Sequence, residues 1–155
     1  MHEPADDPLL NMSEEASIEA LDALLLDHAE RAVERTVAKL GGPLDKGNLA
    51  AFLSDPDCLR YPTSLVFSDE GIDEHQFAEP FFDGDEGGRC CKLHIATRFE
   101  DHPELLPLFV AYVAAAINYG QIANTNLCEK YGAGLVQMEQ EAYYEALCGA
   151  FDSVS

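Results

Sequence analysis

The sequence predicts an α+β fold, helix-dominated and single-domain, with about four or five helices around a central apolar helix, Leu105–Ile117, and a small antiparallel β-hairpin on one side. Three observations predict it. The stretch Leu105–Ile117, LLPLFVAYVAAAI, has no charged residue, and only Tyr112 in it carries a side-chain hydrogen-bonding group. A helix that is apolar all round is one that its neighbours bury. Residues 14–40 place apolar side chains at helical spacing, at Ile18, Leu21, Leu25, Ala29, Val33, Val37 and Leu40. Residues 89–98, RCCKLHIATR, alternate instead with period two. Cys91, Leu93, Ile95 and Thr97 fall on one face, and Cys90, Lys92, His94, Ala96 and Arg98 on the other, which is the pattern of a half-buried strand.

The elements follow in chain order. Residues 1–12 hold Asp6, Asp7, Pro4 and Pro8 without periodicity and are expected to form a loose tail, leaving residues 13–155 as the single domain. Ser13 is placed to N-cap the first helix, with Glu14 and Glu15 in its first turn, where carboxylates complement the helix dipole. Leu24 and Leu26 widen the apolar stripe of this helix, which implies cover on more than one side. Arg31, Arg35 and Lys39 recur at i, i+4 and i+8, Asp27 stands four residues before Arg31, and Gly41-Gly42-Pro43 stops the helix. A short helix is expected around Asn48–Ser54, burying Leu49, Phe52 and Leu53, with Asp55-Pro56-Asp57 as the turn after it.

Leu65–Phe67 reads as a short strand, and pairing it with residues 89–98 gives the hairpin. The connection between them, residues 69–88, holds eight acidic residues and no Lys or Arg. It also holds Ile72, Phe77, Phe81 and Phe82, anchors that a solvated linker lacks. A helical turn is expected within it at Asp73–Ala78, ended by Pro80. Asp101 and Glu104 have the spacing of a capping box for the central helix. That helix is expected to run past Gly120 towards Tyr131, where Tyr131-Gly132-Ala133-Gly134 breaks the chain. The last helix is Leu135–Phe151, facing the core with Leu135, Met138, Ala142, Ala146, Leu147 and Phe151.

Charge narrows the function classes. Twenty-nine acidic residues face nine basic ones, only four of them Lys, for a formal net charge of -20. Direct nucleic-acid binding and docking on an anionic membrane surface both need clustered Lys and Arg, so neither is expected. Leu105–Ile117 is itself shorter than the ~20 apolar residues that a membrane span requires. The acidity has three readings: solubility or life at high salt, a cation-binding surface, or a strongly basic protein partner. Five Cys without a paired spacing framework argue against a disulfide scaffold, and the first residues are acidic where a signal peptide needs a basic region. The expected compartment is a reducing cytoplasm.

One constellation suggests metal chemistry. On a helical turn, His75 and Glu79 at i and i+4 share a face, the spacing by which helices present two metal ligands. His94 lies on the polar face of the predicted strand. Glu70 follows the preceding strand, and His102 begins the central helix. A set of His75, Glu79 and His94, supported by Glu70 or His102, suits Zn or another divalent transition metal and would activate water in a hydrolase-type site. The HExxH motif is absent. Asp83–Gly88 matches half of a calcium loop, but His94 occupies the twelfth position, where Glu is required, so a Gly-rich turn is the plainer reading. Cys90 and Cys91 are adjacent on a strand and point to opposite faces, which argues against a shared metal or redox role. No Walker loop, GxGxxG, GxSxG or CxxC is present. The leading expectation is a small acidic cytosolic binding or interaction protein; the alternative is the metal-dependent hydrolase-type protein.

Overall fold

The computed structural model describes residues 14–85 and 87–154. The loose tail and the Ser13 cap lie outside the described residues. Among the described residues, five α-helices and one three-stranded sheet make up the fold. Helix α1 spans Glu14–Leu40 and α2 spans Leu49–Ser54. Strands β1 (Thr63–Phe67), β2 (Ala78–Asp83) and β3 (Cys90–Ile95) follow, then α3 (Leu106–Tyr119), α4 (Thr125–Val136) and α5 (Gln140–Ser153). The helix-dominated α+β class is as the sequence predicts.

The strand pairing differs from expectation. β3 is the centre strand of the order β1-β3-β2; it runs parallel to β1, with Leu65 beside Leu93, and antiparallel to β2, with Glu79 opposite His94. The antiparallel hairpin is therefore β2–β3, and the acidic segment supplies a strand rather than a long loop. The reason lies at the C-terminal end of β3. Ser68 N donates to Ile95 O at 3.0 Å, and the Asp69 carboxylate accepts from Thr97 N at 2.9 Å and Thr97 Oγ1 at 2.7 Å. These bonds turn the chain around the end of β3 and return it on the far side. Pro80 sits on an edge strand, where a missing N–H costs no ladder bond if it faces outward. Ala96 N donates to Phe77 O at 2.9 Å, which makes Phe77 and Ala96 a hydrogen-bonded pair. By the alternation of antiparallel ladders, Pro80 and Leu93 are then a non-hydrogen-bonded pair, and the Pro80 nitrogen points away from β3.

The core lies between the inner face of β3 and helix α3. Leu93, Ile95, Phe99, Phe109, Val110, Ala111, Ala114 and Ala115 are fully buried. Phe109 stacks on Phe77 with ring centroids 4.6 Å apart and tilts against Phe99 at 4.7 Å. Each buried Leu, Ile, Val or Phe among these contributes roughly 1.5–3 kcal/mol relative to exposure. With its flanking 3-10 turns, the helical run Pro103–Ile122 reaches 20 residues and is apolar enough by length and composition to cross a membrane. Here it is the core helix, with nine of the fourteen α3 residues buried.

Both ends of α3 correct the sequence reading. The capping box does not form: the 3-10 turn Pro103–Leu105 precedes α3, and neither its N-cap His102 nor the α3 N-cap Leu105 makes a side-chain cap bond. Pro103 and Pro107 carry no N–H, so fewer donors need a cap. At the other end the helix does not run on. Gly120 takes φ +64° and breaks it, and α4 restarts at Thr125 with Asn124 as N-cap, its side chain accepting from Leu127 N at 2.8 Å.

Gly132 and Gly134 do not break the chain but lie inside α4. A Cβ at Gly132 would collide with the Tyr143 ring, and one at Gly134 would reach 2.7 Å from Val33 Cγ1. These glycines let α5 and α1 approach α4 closely, and α4 ends instead at Gln137 in the left-handed conformation, φ 57°. The last helix begins at Gln140, not Leu135. Its core face is Tyr143, Leu147 and Ala150, whereas Met138 and Ala142 are exposed.

Candidate interaction surface

The residues proposed as metal ligands come together only in part. Residues 73–78 form no helix: Asp73 Oδ1 accepts from His75 N at 2.8 Å in a tight turn, and Glu79 lies on β2. The shared helical face of His75 and Glu79 is thereby lost. His75 is highly exposed beside Glu74, and His102 sits 3.4 Å from Glu104. Glu79 and His94 do face each other across β2 and β3. Glu79 Oε2, however, accepts from Gln76 Nε2 at 2.8 Å, and His94 Nδ1 donates to the Glu70 carbonyl at 3.0 Å. Phe81 covers His94 at 4.5 Å between ring centroids, and Gly71, at φ +78°, leaves room for the Phe81 ring. This is a packed outer face of the sheet. Among the described residues, no group of three or more His, Cys, Asp or Glu side chains could hold a metal ion.

A half-buried polar network stands instead at the junction of α3, α4 and the turn after α2. Asn118 Nδ2 donates to Cys58 O at 3.1 Å and to Tyr131 Oη at 3.0 Å, while Asn118 Oδ1 accepts from Arg60 N at 2.7 Å. Both amide N–H donors and the amide oxygen are thus engaged in holding the chain together. Burial raises the pKa of the Tyr131 hydroxyl to about 12, against the lowering effect of the Asn118 amide bond, so it is a neutral structural donor and acceptor. Desolvation likewise pushes the Cys58, Cys91 and Cys128 thiols up to about 11, which keeps them protonated and inert near neutral pH.

The surface that the fold leaves unsatisfied is on α1. At 1.5 Å per residue its 27 residues extend about 40 Å. Its main partner, α4, has twelve residues and spans about 18 Å. Among the described side chains of α1, the buried ones are Ala29, Val33 and Thr36, all in its second half. Two polar clamps hold that half. His28 Nδ1 shares a hydrogen bond with Tyr119 Oη at 2.8 Å, with the rings edge to face. Lys39 Nζ reaches Asp57 at 2.6 Å and Asp55 at 2.9 Å. These bonds to carboxylates raise the Lys39 pKa and lower that of Asp55.

Towards the N-terminus the helix projects beyond the body. Ile18, Leu21 and Leu24 are 52%, 64% and 67% exposed. The cover on several sides that Leu24 and Leu26 imply is absent over Leu24, because α4 is too short to reach it. Exposed acids stand among these apolar groups, at Glu19, Asp22, Asp27 and Glu30, and Asp27 pairs with Arg31 at 2.8 Å. Leu25 and Leu26 carry the apolar strip back to the body, where Leu26 enters a groove of about 470 Å³ shared by α1 and α4. Val33, Leu127 and Met138 form part of its wall, with Glu30 and Lys130 as charged lining. Comparison with protein-family models, with curated proteins and with solved structures gives no match.

The apolar spacing of α1 is visible in the sequence; its lack of cover is not. What could have pointed to it is the mismatch between a 27-residue helix and the 12- and 14-residue helices available to pack on it.

Proposed function

We propose that this chain is a protein-interaction module of the reducing cytoplasm, and that the projecting half of α1 is its recognition element. The observation that carries this reading is the exposure of Ile18, Leu21 and Leu24 on a helix whose own domain ends beneath it. A helix segment this short is marginal in water by itself. Covering the exposed halves of those three side chains would contribute roughly 1 kcal/mol each, from about 25 cal/mol per Å² of apolar area. The acidic surface supports the same reading by keeping the free protein soluble while an apolar strip stays open.

The test compares wild-type protein with the pair Leu21→Ser and Leu24→Ser as bait in extract of the source cells. The expected result is a partner retained near one-to-one by wild type and lost by the double variant, with binding reproduced from purified components. Both leucines are exposed, so thermal unfolding of the variant should match wild type. Retention of the same proteins by both baits would count against α1 as the recognition element.

A further inference from the structure

The projecting half of α1 also constrains the chemistry of what covers it. Its apolar groups are separated by acids, with Glu19 next to Ile18 and Asp22 next to Leu21, and no basic residue occurs on α1 before Arg31. A second copy of the chain would bring another charge of -20 to this strip and set acid against acid. A partner that is apolar along one stripe and basic beside it meets both properties at once: its apolar side chains cover Ile18, Leu21 and Leu24, and its cations pair with Glu19 and Asp22.

The surface also continues. Leu25 and Leu26 link the projecting strip to the groove between α1 and α4, whose volume of about 470 Å³ accommodates apolar side chains. A rod lying beside α1 would bury one row of side chains along the strip and drop its end into the groove, the geometry by which amphipathic helices dock on helical surfaces. We infer that α1 and the groove at its base bind a basic amphipathic helix of another protein. This rests on the interaction reading above and adds the nature of the partner. Lys130 lines the groove together with Glu30, so the basic part of the partner helix belongs over the projecting half, and its more neutral end belongs in the groove.

The probe is a synthetic 18-residue helix-forming peptide with Leu at i, i+3, i+4 and i+7 spacing and Lys at its other positions, alongside a twin carrying Glu in place of Lys. Binding to the full chain is followed by fluorescence anisotropy at several KCl concentrations. The Lys peptide should bind and the Glu twin should not. Leu21→Ser with Leu24→Ser should weaken binding about tenfold or more, as expected for anchors at the centre of a contact. Glu19→Gln with Asp22→Asn should weaken it several-fold and flatten its salt dependence. Glu100→Gln with Asp101→Asn removes the same charge from exposed positions before the opposite end of α3 and should change nothing.

Equal weakening by the two charge pairs, or indifference to the leucine pair, would mean diffuse attraction of a polycation and would overturn the inference. Failure of the Lys peptide to bind would overturn the partner's chemistry, while the module reading would still stand or fall by its own capture experiment. Sedimentation showing that the wild type, but not the leucine pair, self-associates would assign the strip to a second copy and also overturn it.

Discussion

Replacing Gly132 by Ala tests whether the glycines of α4 serve close packing. A Cβ there falls 2.6 Å from Cε2 and from Cζ of Tyr143 and closer still to its hydroxyl. Tyr143 cannot step aside: it is fully buried, and its hydroxyl donates to Leu108 O at 2.6 Å. Overpacking a rigid site costs about 1–3 kcal/mol. Displacing the ring forfeits a hydrogen bond worth about 1 kcal/mol. Against this, Ala gains about 1 kcal/mol over Gly in a helix. The net expectation is a loss of about 2 kcal/mol, or a fall in Tm of roughly 4–8 °C for a chain of this size. Gly149 supplies the control, since it is exposed in α5 and no atom lies within 4 Å of its would-be Cβ. Gly149→Ala should raise Tm by roughly 2–4 °C through helix propensity alone. Thermal unfolding by circular dichroism reads both. If Gly132→Ala raises Tm as Gly149→Ala does, the close approach of α5 to α4 is not what fixes glycine at position 132.

Four further outcomes follow from the interior and the surface. Asn118→Leu should lower stability by about 2–4 kcal/mol, read as a drop in urea midpoint, because it leaves the Arg60 N–H and the Cys58 carbonyl without their partner. In Ellman titration of native protein at pH 8, exposed Cys148 should react fast and half-buried Cys90 more slowly, with Cys58, Cys91 and Cys128 reacting only on unfolding. Those three thiols rise from 9.0 to about 11 in the fold, so their contribution is intact below pH 9 and lost as pH climbs from 9 towards 11; the urea midpoint should fall across that window. With a net charge of -20, self-repulsion should weaken as the Debye length shrinks from about 10 Å at 0.1 M salt to 3 Å at 1 M, so the unfolding midpoint should rise with KCl; a flat response would remove self-repulsion as a factor in stability.

Where periodicity reports burial directly, sequence and structure agree. The alternation of Cys91, Leu93 and Ile95 marks the inner face of β3, and the charge-free run of α3 marks the core. Partners and distances are less legible. β2 was hidden because Phe81 and Phe82 are adjacent, one on each face, so the segment shows no hydrophobic alternation, and because Pro80 suggests a helix stop rather than an edge strand. Parallel pairing of β1 depends on the Asp69–Thr97 bonds, contacts 28 residues apart in sequence that no local pattern encodes. Gly132 and Gly134 carry the same letters whether they break a helix or admit a neighbour. The metal constellation depended on a helical turn at Asp73–Ala78; in the fold Glu79 is extended, and only its place opposite His94 remains of that arrangement.

The strand order also governs when the sheet can exist during synthesis. β1 and β2 leave the ribosome first, yet neither pairs with the other; both wait for β3, the last of the three to be made. Until residue 95 has emerged, the nascent chain carries two strands without a template. Pro80, which helps to disguise β2, and the acids Glu79 and Asp83 in that strand discourage pairing with a neighbouring chain in the interval. Arrival of β3 then completes both ladders in one event and presents the buried face of Leu93 and Ile95 to α3, the next long element to emerge.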